Sequence, residues 1–392
     1  MDTGQRRGTR VASSQSARQV NLRSVLRTLA AGEADSRASL ARVTGMARPT
    51  VTRLVAELLD SGLVAEVGTG SSDGGKPPRL LAVNRSARQV VAIDLSRRPL
   101  VATLADLAGT ESARHTVGGA HTAGDRLVAA VVDVVSDLAP RATAPVAGVG
   151  VATPGLVTRD GVVVEAANLG WHDLRLASIL RERTGLPAWV GNDADAAALV
   201  EYGTRAGASD GLAVVRIGRG VGAGLVLAGR LHAGARAAAG EIGHLVVEPG
   251  GHPCSCGNRG CLETVISVPS IVGQAAAAAG ADPAGLPWDA TALRHRLGDE
   301  AVHAALQAAG TRLGAMLAHL VAIVDVTEIV LSLELEGVGE EFLETVRTTL
   351  VERLLPIDGE QIFVHLTDYG PDLILHGAHA LVLAGAFGMA RP

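Results

Sequence analysis

Three cysteines, Cys254, Cys256 and Cys261, fall within eight positions of a 392-residue chain that has no others. Thiols so close are metal ligands, a disulfide with one thiol left over, or three free reduced thiols. The N-terminus is polar, rich in Arg, Ser and Gln, and has no apolar leader core, so the chain is expected in the cytoplasm, where disulfides rarely persist. The odd count points the same way, and metal ligation is the preferred reading. In "GHLVVEPGGHPCSCGNRGCLE" the fourth candidate ligand is His244, with His252, flanked by Gly and Pro, as a weaker substitute. Three thiolates and one imidazole suit tetrahedral Zn2+, and a site whose four positions all come from protein is structural, not hydrolytic. Gly257 and Gly260 allow the tight turns that bring the thiolates together.

A second set of residues is suited to DNA. Net charge is −5, yet residues 1–90 hold 14 Lys/Arg against 7 Asp/Glu, a net of +7, leaving −12 for the remainder. A basic head on an acidic body implies that the head meets a polyanion; a merely solvated basic face is the alternative. Aromatic residues are only 2% of the chain, which argues against single-strand binding on stacking platforms. In "DSRASLARVTGMARPTVTRLVAELLDSGLVAEVG", Ser36 is a suitable N-cap, Thr44-Gly45-Met46 a short turn, and Arg48-Pro49-Thr50 the opening of a second helix. Val51, Leu54, Val55 and Leu58 repeat at helical spacing, which leaves Arg48, Thr50, Thr52 and Arg53 facing outward. Helix, glycine turn, helix, then strands around the tip "GTGSSDGGKPPRLLAV" is a winged helix-turn-helix pattern, with Lys76 and Arg79 on the wing for phosphate or minor-groove contacts. A small protein-docking domain is the competing reading.

These residues need elements to position them. A helix is expected from Asn21 to Ala31. Beyond it, "VVAIDLSRRPLVATLADLAGT" and "LAVVRIGRGVGAGLVLAGRLHAG" each give strand, turn, strand, with helices expected at Gly124–Leu138, Ala194–Tyr202 and Val302–Val324. Two such units in tandem imply two similar α/β lobes with a cleft between them. No stretch of 18 or more uninterrupted apolar residues occurs, so no membrane span is expected. The boundaries expected are a flexible tail over 1–20, a DNA-binding domain over 21–84, and a body over 88–392 whose first lobe takes about 88–205 plus a C-terminal helix at about 374–390, and whose second lobe takes about 206–373.

The run "GEIGHLVVEPGGHPCSCGNRGCLE" from Gly240 to Glu263 resembles the ROK family of sugar kinases and sugar-responsive transcriptional repressors, and the likeness extends over nearly the whole chain. The N-terminal winged helix is the mark of the repressor branch. The resemblance implies an α/β fold: a winged helix-turn-helix plus a two-lobed, actin-like (ribonuclease H-like, sugar-kinase type) body. It places Thr153–Gly155 beside the sugar and makes Asn168, Asn192, Asp193, Glu241, His244 and Glu263 sugar ligands, Asp193 being the general base in a kinase. Carboxylates and amides suit vicinal hydroxyls, although Asn192-Asp193 ahead of an alanine-rich helix also reads as a simple N-cap.

Departures from the kinase pattern bear on activity. Where a phosphate loop with paired glycines is expected, the chain has Asp94-Leu95-Ser96-Arg97-Arg98-Pro99, and the second loop, Gly218–Gly224, carries Arg219. Backbone N–H groups need glycine to approach phosphate closely. The expectation is therefore a sugar-responsive repressor of carbohydrate genes without enzymatic activity. It would bind operator DNA as a homodimer or homotetramer and a sugar or sugar phosphate in the body, with structural zinc. An ATP-dependent sugar kinase with a fused DNA-binding head is the alternative, and a regulator switched by a protein partner is a further one.

Overall fold

The computed structural model describes residues 14–71, 77–97, 99–118, 123–205, 211–280, 293, 295–335, 337–355 and 362–389. Its head begins with helix α1 (Ser14–Ala30), which starts inside the stretch expected to be a tail and seven residues before the helix start read from the apolar spacing. The polar first turns carry no apolar signal, but Arg18 in them reaches Glu57 at 2.6 Å. Helix α2 (Arg37–Thr44) opens on a capping box: Ser36 Oγ accepts from the Ser39 N–H and Ser39 Oγ from the Ser36 N–H. Such caps are worth about 1 kcal/mol. Gly45 closes α2 with φ 69°, a left-handed conformation costly for residues with a Cβ. Helix α3 (Arg48–Asp60) follows with Pro49 in its first turn and Val51, Leu54, Val55 and Leu58 buried. Strands β1 (Val64–Thr69) and β2 (Arg79–Val83) pair antiparallel; Lys76 lies outside the described residues.

The body contains two five-stranded sheets of identical topology. The first comprises β3 (Gln89–Asp94), β4 (Leu100–Asp106), β5 (Glu111–Val117), β6 (Val146–Thr153) and β10 (Ala188–Asn192), in the order β10-β6-β3-β4-β5. The second comprises β11 (Gly211–Ile217), β12 (Val221–Leu227), β13 (Arg230–Leu231), β14 (Glu328–Leu333) and β15 (Phe363–Leu366), in the order β13-β12-β11-β14-β15. In each, a three-strand antiparallel meander pairs through its first strand with a parallel strand, which pairs in turn with a second parallel strand. A small sheet of β7 (Leu156–Val157), β8 (Val163–Ala166) and β9 (Trp171–Leu174) extends from the first lobe. Central strands β3 and β11 are buried nearly throughout, because helices cover both faces, and so they read as apolar runs with polar residues only near their ends.

Helices α4 (Gly124–Leu138) and α5 (Leu176–Thr184) pack on the first lobe's core. The short α7 (Glu263–Ile266), α8 (Val268–Ala278), α9 (Glu300–Val324) and α10 (Glu340–Val351) build the second lobe's core. Helix α9 is long and apolar enough to cross a membrane, but half of it is buried, against α8 and α10 among other elements. Between the lobes run α6 (Asp193–Thr204) and α11 (Leu373–Val382), which pack on each other. Their contact is made of small residues: a Cβ on Gly377 would crowd the Ala196 backbone, and where α11 lies on β6 one on Gly150 would overlap the Ala378 carbonyl. Large side chains here would force the sheets apart.

Helix α11 continues as a π-helical turn over Leu383–Phe387 and reaches the head. Leu383, Val382 and Met389 share one core with Val25, Leu26, Leu40, Leu54 and Val55 of the head and Val90 and Leu107 of the body. Burying a side chain such as Leu54 contributes about 1.5–3 kcal/mol, so this shared core ties head and body into one packed unit.

Candidate functional site

Strand β10 ends at Asn192, which caps α6. Its Oδ1 accepts from the N–H groups of Ala194 (2.8 Å) and Asp195 (3.0 Å), and its Nδ2 donates to the Gly155 carbonyl (2.9 Å). The cap therefore also fixes the Thr153–Gly155 loop, leaving one amide N–H for a ligand. Gly155 packs against Ala166, so the turn bearing the exposed Asn168 lies beside that loop. Asp193 follows, buried, with Oδ1 accepting from the Ala194 N–H at 2.9 Å.

The second lobe contributes Gly240–His244. Gly240 (φ 85°) and Gly243 lie so close to β12 that a Cβ on either would overlap a carbonyl, of Ala223 or Val221 respectively. That contact sets Glu241 on the side of Asp193, and Glu263, the first residue of α7, accepts from the Val221 N–H at 3.1 Å. Burial, above all, raises the Glu241 carboxyl above its ordinary range; His244 lowers it, and Asp193 and Glu263 raise it further.

His244, Cys254, Cys256 and Cys261 do converge: their ligand atoms all lie within 4.8 Å of one another. Cys256 Sγ and Cys261 Sγ are 3.7 Å apart, and Cys254 Sγ is 3.5 Å from His244 Nδ1. A tetrahedron with metal–sulfur bonds near 2.3 Å requires S···S edges of roughly 3.8 Å and S···N edges of roughly 3.6 Å. The donor set thus fits a tetrahedral ion. His244 would ligate it through Nδ1, while Nε2 points to Glu241 Oε2 at 3.8 Å. Isolated bridges Val246–Cys261 and Pro253–Arg259 close the loop, and His252 contributes its carbonyl, which accepts from the Gly260 N–H.

The sequence reading missed Arg216. It lies near the end of β11, 5% exposed, with Nη1 2.9 Å from Asp193 Oδ2 and Nη2 bonded to Glu334 Oε1. Burial opposes its charge, but Asp193, Glu334 and Asp94 more than offset this and hold it firmly protonated. One signal was available, a charged residue inside the otherwise apolar run "LAVVRIG". Asp94, at the matching end of β3, accepts from the N–H and Oγ of Ser96 and pairs through Oδ2 with Arg97 Nε at 3.0 Å. Arg97 in turn reaches Asp372 at the start of α11 (2.8 Å), as does Arg114 (2.6 Å). Asp195, also missed, has its carboxyl pushed up to about 7, by burial first and then by Asp193 and Glu241.

Two carboxylates pack against the Gly218–Gly224 loop. A Cβ on Gly218 would meet the Glu334 carboxylate at 2.6 Å, and one on Gly220 the Glu263 carboxylate at 2.8 Å.

On the head, Arg48, Thr52 and Arg53 are exposed and Thr50 is half-buried along α3. Thr52 Oγ1 donates back to the Arg48 carbonyl. Among the described residues, neither Arg48 nor Arg53 has an acidic partner, whereas Arg37 and Arg79 both lean on Glu66, at 3.3 and 3.9 Å.

Residues 90–384 match the ROK family and residues 22–68 the IclR helix-turn-helix domain. The chain is 28% identical over 384 residues to the xylose repressor of Caldicellulosiruptor bescii, an alignment covering 94% of this chain and 96% of the relative. A ROK family transcriptional regulator, a homologue of the E. coli MLC protein, superposes with a TM-score of 0.83 at 24% identity, covering 95% of this chain and 98% of that one. A ROK family glucokinase from Streptomyces griseus, in complex with glucose and AMPPNP, superposes with a TM-score of 0.66 at 26% identity over 75% of this chain and 98% of the enzyme.

Proposed function

The chain belongs to the ROK family, and from that premise we propose that it is a sugar-responsive transcriptional repressor of carbohydrate genes. The observation that carries this reading is the union in one packed unit of a helix-turn-helix with open arginines and a two-lobed sugar-kinase-type body. The alignment with a xylose repressor runs through both parts. The reader works in the cytoplasm as a homodimer or larger assembly on a palindromic operator, since symmetry doubles the contacts of a single winged helix. Asn168, Asp193, Glu241, His244 and Glu263 take the sugar hydroxyls, and Asn192 holds the loop beside them. One Zn2+ on His244, Cys254, Cys256 and Cys261 is structural and fixes Glu241 and Glu263 on either side of its loop. A sugar shifts operator binding only through unequal affinity for two lobe arrangements.

A kinase is the second reading, favoured by the intact glycines of Gly218–Gly224 and by the likeness to a glucokinase. Against it stand the carboxylates of Glu334 and Glu263 on that loop, the Arg216 guanidinium on Asp193, and Arg97 folded between Asp94 and Asp372. The test combines three measurements: a thermal-shift screen of sugars and sugar phosphates, release of the protein by each hit from DNA selected in a random-duplex pool, and a coupled Mg-ATP assay with D-glucose and D-xylose. Stabilisation with DNA release and no turnover is expected. Turnover abolished by Asp193→Asn would install the kinase reading instead.

A further inference from the structure

Arg216 belongs to the second sheet, and Asp193 follows directly from β10 of the first. Their 2.9 Å ion pair therefore crosses between the lobes. Its far side is Glu334, at the end of β14 in the second lobe, and Asp94 of β3 adds a further negative charge from the first. A buried cation needs such partners, and removing one side of a buried pair leaves an uncompensated charge. Asp193 Oδ1 takes the Ala194 N–H, while Oδ2 faces the guanidinium as a close ion pair without hydrogen-bond geometry. The crossing contact is thus held by charge, while the other arm of the guanidinium bonds Glu334.

We propose that Arg216 is the positioning residue of the effector site and the latch between the lobes, orienting the Asp193 carboxylate while gripping Glu334. An occupant that bonds Asp193 is then felt in both sheets through one side chain. The latch follows from the ion pairs alone; the effector part rests on the sugar-binding reading given above.

The test uses the full-length chain as Arg216→Met, Arg216→Lys, Asp193→Asn and the double variant Asp193→Asn/Arg216→Met. Two quantities are read: the thermal midpoint without ligand, and the affinity for D-xylose and D-glucose by calorimetry. Without ligand, Arg216→Met lowers the midpoint by about 5 °C or more. The same change costs less in the Asp193→Asn background, because the partner charge has gone. A sugar that binds the wild type loses at least about tenfold in affinity in Arg216→Met. Arg216→Lys, which keeps the charge, regains most of both losses. Additive midpoint losses, or an Arg216→Lys as defective as Arg216→Met, would overturn the proposal. Should Arg216→Met not fold, Arg216→Lys and the double variant, in which the crossing pair is neutral, decide the point. If neither sugar nor any hit of the thermal-shift screen binds the wild type, the effector reading falls, and the ligand-free cycle still decides the latch.

Discussion

Arg23 of the first helix donates a 2.7 Å hydrogen bond to the carbonyl of Gly385, in the last turn of the chain's final helix. Gly385 lies so close to Trp189 that a Cβ there would overlap the indole, and Arg23 itself packs over Gly388. The final helix begins at Leu373, next to Asp372, where Arg97 and Arg114 converge. One rigid element thus spans from the ion pairs near the lobe junction to the DNA reader.

Arg23→Ala should separate sensing from response. The bond is exposed, so its loss costs about 0.5–1.5 kcal/mol of stability. Sugar affinity and operator affinity should each stay near wild type, while the change in operator affinity on adding sugar shrinks several-fold. Titrating labelled operator with and without saturating sugar checks this; an undiminished response would remove the helix from the signalling route.

Much of this architecture is legible in the residues. The repeated strand-turn-strand units predict two lobes, and the helical spacing of Val51, Leu54, Val55 and Leu58 predicts the face that α3 buries. The metal ligands stand out because thiols are rare and their chemistry narrow. Arg216 does not stand out, because its meaning lies in partners 23 and 118 positions away, the first brought to it across the lobe junction and the second by the pairing of β14 with β11. The start of α1 is hidden for a different reason: its first turns have no apolar stripe and are held by an ion pair to α3. Asn192 shows how one residue type serves two expectations at once, since its cap bonds use most of the amide that a sugar would require.

Metal removal should weaken fold and sensing together. We expect one zinc per chain by elemental analysis, and a midpoint about 5 °C or more lower after chelation. Cys261→Ala should mimic chelation, because Cys261 is fully buried and its Sγ also contacts the His244 carbonyl at 3.4 Å. Sugar affinity should fall in parallel, since Glu241 and Glu263 flank the loop. A metal-free protein with an unchanged midpoint would contradict the structural role.

Asp195 gives a pH signature whose sign is fixed. Its carboxyl titrates at about 7 in the folded chain against an ordinary 3.8, so between those values the folded state holds more protons than the unfolded one. Stability from this group is therefore complete below about pH 4, declines as pH rises through 7, and stays lost above. Asp195→Asn removes the decline. The variant should melt higher than wild type at pH 8, with the gap closing toward pH 4. Asp94, Glu241 and Glu334 are also raised and bend both curves alike, so only the difference reports Asp195.

Glu66 restrains the basic face of the head. It draws Arg37 to 3.3 Å and Arg79 to 3.9 Å, and both contacts are solvent-exposed enough to contribute little to stability. Each guanidinium so engaged is less available to a phosphate. Glu66→Gln should leave the midpoint within about 0.5 kcal/mol of wild type while strengthening binding to every duplex, with a salt dependence steeper by about one to two counterions. Arg48→Ala should act oppositely and selectively. Arg48 projects from the first turn of α3 with no described acidic partner, and losing a bidentate base contact costs about 1–3 kcal/mol on the preferred site while hardly touching nonspecific binding. Fluorescence anisotropy on preferred and scrambled duplexes across a salt series separates the two. If Arg48→Ala lowered both affinities equally, Arg48 would be a phosphate contact and base reading would pass to Thr50, Thr52 or Arg53.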